Sequence, residues 1–191
     1  MPEFTDANAE EGLNWEKFAR DSYENNLVFK NFYSDGAYVE CSDDYSRGSF
    51  KGYVNYKASL LEDGLDVSDE YNEILQKGAY YNSLLLTPAG DSILYGDSEP
   101  ESDTSQTYPQ IVDWFGDYEL QYIDTLGKKG TAPSWTSKLY PDKKEAFLRS
   151  DWSRDALYLF TNAIGKGGHA HADDNHITAY AYGRTLLSDM G

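Results

Sequence analysis

Apolar side chains recur every three or four positions through the first half of the chain and every second position near its end, which predicts helices followed by strands. Between Asn14 and Phe32 an asparagine cap precedes Trp15, Phe18, Ala19, Tyr23 and Leu27, spaced as one helix face requires. A second helical run holds Phe50, Tyr53, Leu60 and Leu61 and stops at Asp63-Gly64, where glycine can take the left-handed conformation that closes a helix. A third opens at Ser68, places Asp69 and Glu70 in its first turn, carries Ile74, Leu75, Tyr81, Leu84 and Leu85, and ends before Pro88. From Thr87 to Tyr140 the periodicity gives way to Pro, Gly, Asp and Ser, with GDSEPESDTSQ the most polar stretch, and this reads as a connection between domains. After Lys144 come short β-prone runs: EAFLRSD, DALYLFTNA, HITAYAYG and TLLSD. Gly183-Arg184 separates the last two as a tight turn would, so Ile177 to Tyr182 and Thr185 to Asp189 are expected to pair as a hairpin. Four short strands cannot cover themselves, since a two-layer β-domain takes about a hundred residues and a second sheet. The expected division is a helical part over 1–98, a connection over 99–143, and the beginning of a β-domain over 144–191 that stops early. No internal repeat of fixed period is present.

Charge narrows the partners. Against 16 basic side chains stand 33 acidic ones, a formal net charge of -17 that repels nucleic acid and anionic membrane surfaces. The same field opposes an anionic polymer unless basic groups gather at one place. The acidic stretch near residue 100 reads as a solvated loop rather than a calcium site. Cys41 is the single cysteine, so no internal disulfide holds the fold. No apolar run approaches the roughly 20 residues that span a bilayer, and MPEFTDANAEEG is acidic where a secretion signal would be basic and then apolar. For an exported protein, the signal is expected upstream of this stretch.

All three histidines fall within eight positions, in Gly167-Gly168-His169-Ala170-His171-Ala172-Asp173-Asp174-Asn175-His176. Imidazole is a common metal ligand and the side chain that most readily changes protonation near neutral pH, so the run suits either task. In an extended strand His169 and His171 project to one side and can share a cavity. The competing reading is a polar edge strand with exposed histidines.

The stretch from Phe147 to Gly191 resembles the opening of the β-domain of the heparinase II/III-like polysaccharide lyases. That pattern runs Arg-Ser-Asp-Trp (149–152), a strand, Gly-Gly-His-x-His-x-Asp (167–173), a strand ending in Tyr-Gly-Arg (182–184), then Leu-Leu-x-Asp-x-Gly (186–191). Upstream, Asp35-Gly36-Ala37-Tyr38-Val39-Glu40 followed by Tyr45 resembles the segment that brings a catalytic tyrosine in the family's α/α toroid, and Gly96-Asp97-Ser98 resembles the toroid's closing motif. The fold class the resemblance implies is multidomain α + β: the end of an α/α toroid, then the first strands of an antiparallel β-sandwich, truncated.

The resemblance implies β-elimination of a uronate-containing polysaccharide of glycosaminoglycan or alginate type, with a periplasmic or extracellular location. It makes Tyr45 the candidate base and acid, with Tyr38 and Tyr53 as competitors, and His169 the candidate for neutralising the substrate carboxylate or carrying a second proton. Arg47, Lys51 and Arg184 are candidate substrate-binding cations, set against the alternative of a solvated helix face for the first two. It implies structural zinc held by His171 and Asp189, with a third ligand beyond Gly191, and Asp173 steadying the loop or a histidine. His176, at the start of a strand, reads as a packed or surface residue. Two departures stand out. Asn25-Asn26 lacks the following histidine of the family's substrate-binding pair, and Cys41 and Asp43-Asp44 replace small or amide residues before the tyrosine. This stretch by itself is expected to be inactive. The alternatives are a carbohydrate-binding or metal-stabilised module without turnover, and a hydrolase, for which no suitably flanked carboxylate pair is seen.

Overall fold

The computed structural model describes residue 15 and residues 17–99, 108–163, 169, 171 and 175–189. Helical backbone runs from 17 to 31, with a π turn at Tyr23–Leu27 ahead of α1 (Val28–Asn31). The second expected helix is α2 (Asp43–Glu62), and Gly64 closes it at φ 73°. The third is α3 (Asp69–Leu84), whose cap Ser68 accepts a hydrogen bond from Tyr71 N at 3.2 Å. These two helices touch where Gly78 meets the Phe50 ring, since a Cβ at 78 would lie 2.7 Å from Phe50 Cε2.

The connection is more structured than its composition predicts. It contains α4 (Pro109–Phe115) and α5 (Tyr118–Asp124), each of seven residues. Pro109 sits in the first turn, where its missing N–H costs nothing, and Gly116 closes α4 at φ 63°. Asp117 then caps α5 by accepting from Leu120 N at 3.0 Å, and also accepts from Tyr80 OH at 2.7 Å and Gln76 Nε2 at 2.9 Å. One carboxylate thereby ties α5 to α3, and the segment packs into the helical layer.

The strands are β1 (Lys138–Tyr140), β2 (Glu145–Arg149), β3 (Tyr158–Asn162), β4 (His176–Ala181) and β5 (Arg184–Leu187), paired antiparallel in chain order. The four expected strands are present, and β1 is an addition. In the last hairpin Ala181 pairs with Arg184, so Tyr182 (φ 54°) and Gly183 (φ 72°) form the turn, one residue earlier than predicted. One face of the sheet, with Phe147, Tyr158, Phe160 and Tyr180, is buried. Tyr81 of α3 meets Tyr140 and Phe147 edge-on at 5.0 and 6.0 Å, and Tyr158 OH donates to Leu84 O at 2.8 Å. Leu139, Leu148, Ile177 and Leu187 lie exposed on strands of the same sheet.

Two polar ties cross from sheet to helices. Tyr81 OH donates to the buried Glu145 at 2.7 Å, with Tyr95 OH 3.1 Å from Tyr81 OH. Lys143, between β1 and β2, donates to Val39 O at 2.9 Å and Glu40 O at 2.8 Å, with Cys41 Sγ at 3.3 Å. That ammonium fixes the segment entering α2.

Candidate active site

Segments around residues 41–45, 96–98 and 169 converge on one point. Each residue of Gly96-Asp97-Ser98 has a separate task there. Gly96, at φ 60°, admits two carbonyls where a Cβ would overlap both Cys41 O and His169 O. Ser98 Oγ accepts from Asp43 N at 3.1 Å, lies 3.1 Å from Ser42 Oγ, and donates to Tyr95 O at 2.7 Å, so it pins the first turn of α2. Asp97 reaches the histidine: its N–H donates to His169 O at 3.2 Å, and its Oδ2 lies 2.6 Å from His169 Nδ1.

Tyr45 stands in that first turn of α2, and its ring lies flat on His169, centroids 3.4 Å apart and planes within 17°. Tyr45 is 44% exposed, whereas Tyr38 and Tyr53 are 4% and 5% exposed. Tyr38 OH donates to Glu40 at 3.1 Å and lies 2.9 Å from Ser49 Oγ; burial pushes its hydroxyl up to about 12. Tyr53 accepts from Asn31 Nδ2 at 2.6 Å, and burial raises its pKa too. Of the three tyrosines, Tyr45 is the one open to a ligand. It borders a groove of about 740 Å³ lined by Asp44, Gly48, Ser49, Asp97 and Glu99.

The cations expected at the site are elsewhere. Arg47 is 2% exposed, and its guanidinium lies 2.8 Å from Asp43 and 3.0 Å from Asp44. This corrects both expectations for it, since it neither faces a substrate nor lies on a solvated helix face. Two residues along a helix turn the side chain through about 200°, which sends Arg47 inward when Tyr45 points out. Burial pushes the Asp43 carboxyl up to about 6, although Arg47 and Ser98 pull against the shift. Asp44 also accepts from Glu99 N at 2.7 Å, fastening the groove's rim to α2. Lys51 is exposed, but at six residues from Tyr45 it projects from another side of α2. Arg184 is exposed at the start of β5, opposite Ala181. Among the described residues lining the groove there is no Lys or Arg, and three are carboxylates.

His171 is exposed. Asp189 Oδ2 lies 3.8 Å from His176 Nδ1, and His176 Nε2 lies 2.9 Å from Thr178 Oγ1. No three His, Cys, Asp or Glu side chains among the described residues converge as a metal ion requires, so these residues do not fit a zinc centre by themselves. Asp173 and Gly167-Gly168 lie outside the described residues. Asp97 is the site residue that sequence reasoning missed as such; its signal was the Gly-Asp-Ser motif.

No family model matches the sequence. A curated relative, the heparin-sulfate lyase of Pedobacter heparinus, is 25% identical over 176 residues, covering 87% of this chain and 26% of the relative. The crystal structure of heparan sulfate lyase HepC from Pedobacter heparinus superposes with a TM-score of 0.82 at 22% identity, covering 93% of this chain and 29% of that one. The heparinase III BT4657 gene product gives a TM-score of 0.84 at 21% identity, over 95% of this chain and 29% of that one. The chain spans about a quarter of the length of the curated relative it matches. It therefore resembles a heparinase-like polysaccharide lyase in sequence and shares the heparinase III fold over a continuous portion, from the helices that carry Tyr45 to the sheet whose β3–β4 connection carries His169.

Proposed function

We propose that this chain forms part of an eliminative lyase for a uronate-containing glycosaminoglycan. The observation that carries the reading is the exposed Tyr45 ring stacked on His169 at the edge of a groove, two residues 124 positions apart in the sequence. Elimination requires a base for the C5 proton, a donor that quenches the neighbouring carboxylate so that the carbanion is attainable, and an acid for the departing glycosidic oxygen. Tyr45 serves as base and then acid; the His169 imidazole, in its protonated form, donates to the carboxylate, or it carries the second proton. A heparan-type substrate is favoured over alginate because the curated relative is a heparin-sulfate lyase.

The acidic groove lining places a demand on this reading. Positive charge for the polymer has to come from parts of the polypeptide other than the lining residues described. A structural zinc using His171 and Asp189 needs at least one further donor. A periplasmic or extracellular site of action goes with the same proposal, since such polymers lie outside the cytoplasm.

The test is the protein at its full encoded length, incubated with heparan sulfate, hyaluronan, chondroitin and alginate while the ultraviolet absorbance of an unsaturated uronate is followed. Tyr45→Phe and His169→Ala are each expected to lower the rate on the active polymer by about a hundred- to ten-thousand-fold with the fold intact. Binding without any unsaturated product would overturn the proposal in favour of a carbohydrate-binding module.

A further inference from the structure

We propose that Asp97 is a positioning residue: it fixes the His169 ring against Tyr45 with a proton on Nδ1, so that Nε2 is the nitrogen offered to a ligand, as acceptor in the neutral ring and as donor in the protonated one. The consequence for turnover rests on the lyase reading; the geometry does not.

Residue 97 holds residue 169 at two points, backbone N–H to carbonyl at 3.2 Å and carboxylate to Nδ1 at 2.6 Å. A carboxylate is an acceptor, so the ring nitrogen facing it carries the proton, and that bond selects the tautomer. His169 also sits at φ 61°, a backbone region that side-chain-bearing residues seldom adopt, so the surroundings have to hold it there. Gly96, whose lack of a Cβ leaves room for His169 O, supplies the seat. Asp97 follows the helical layer and His169 lies in the β3–β4 connection, 72 positions on. The pair is thus the joint that sets the histidine on the tyrosine of α2. An acid whose own contact is with the imidazole acts through that ring, as carboxylates behind functional histidines do elsewhere.

The chain has three histidines, so nitrogen-15 labelling of histidine gives three imidazoles, which can be followed in the full 191-residue chain at mildly alkaline pH. In the wild type, the His169 ring, assigned by its loss in His169→Ala, is expected to show protonated Nδ1 and bare Nε2. Asp97→Ala is expected to reverse the pattern, and Asp97→Asn, which keeps an acceptor oxygen, to retain it in part. An unchanged tautomer in Asp97→Ala overturns the proposal, whatever activity is found. At full encoded length, Asp97→Ala is expected to lower kcat about ten- to a hundred-fold with KM within twofold, and Asp97→Asn to recover part of the loss. A raised KM with unchanged kcat would make Asp97 a plain binding group and also overturn it. A wild type that yields no unsaturated product sinks the lyase reading alone, and the nitrogen spectra still decide the role of Asp97.

Discussion

Glu145→Gln is expected to change how stability responds to pH, because the wild-type carboxyl is fully buried in the seam between sheet and helices. Burial, opposed by Lys143 and by hydrogen bonding to Tyr81, pushes its pKa from 4.5 up to about 7. Between those values the folded protein holds a proton that the unfolded chain has released, so stability falls as pH rises through the window. At about 1.4 kcal/mol per pH unit, the loss amounts to roughly 3 kcal/mol once pH exceeds the folded value. Glutamine keeps an oxygen for Tyr81 OH to donate to and carries no charge to desolvate, so the variant lacks this loss. Asp43 and Asp124, each pushed by burial up to about 6, add to the downward slope in both proteins and cancel in the difference. Urea unfolding of the two proteins from pH 4 to 8 reads the effect. With a slope of about 2 kcal/mol per molar urea, the midpoint of the variant should gain roughly 1.5 M on the wild type across the range. Parallel pH profiles would mean that Glu145 is solvated or neutralised by Lys143 and holds no raised pKa in the folded protein.

Three further substitutions probe the scaffold. Phe50→Ala empties a fully buried position between Phe32, Tyr108 and Gly78, and a loss of about 3–5 kcal/mol in chemical unfolding is expected. Ser68→Ala removes the cap of α3 and should cost about 1 kcal/mol by the same measurement. Gly96→Ala forces Cys41 O and His169 O apart at a positive φ, so the full-length protein should lose about a hundredfold in rate and its thermal midpoint should fall as well.

How far the sequence could be read depended on how far each interaction reaches along the chain. Helices α2 and α3 were legible because 20 and 16 residues give several turns of apolar repeat, with Gly64 and Ser68 marking stop and start. Helices α4 and α5 were missed because seven residues make about two turns, and Pro109 and Gly116, which read as turn residues, are a helix's opening and closing. Strand β1 has three residues, too few for alternation to register. At the site, the Tyr45 and His169 candidates came from motif resemblance, whereas no local rule joins Asp97 to a histidine 72 positions away. Arg47 is close to Tyr45 in sequence but helix geometry turns the two apart, and nothing local in the sequence tells a buried arginine from a solvated one. In the fold Asp189 faces His176, a pairing that no motif position specifies.

Elimination and hydrolysis at the Tyr45–His169 pair differ in the origin of one oxygen, and cleavage in heavy-oxygen water tells them apart. The full-length protein would digest heparan sulfate in that solvent, with Tyr45→Phe alongside, and the products would be weighed by mass spectrometry. Elimination breaks the glycosidic bond without adding water, so unsaturated ends free of heavy oxygen are expected, formed by the wild type and lost in Tyr45→Phe. Saturated products carrying one heavy oxygen at each new reducing end would mean hydrolysis, and unsaturated products made equally well by Tyr45→Phe would remove Tyr45 from the reaction.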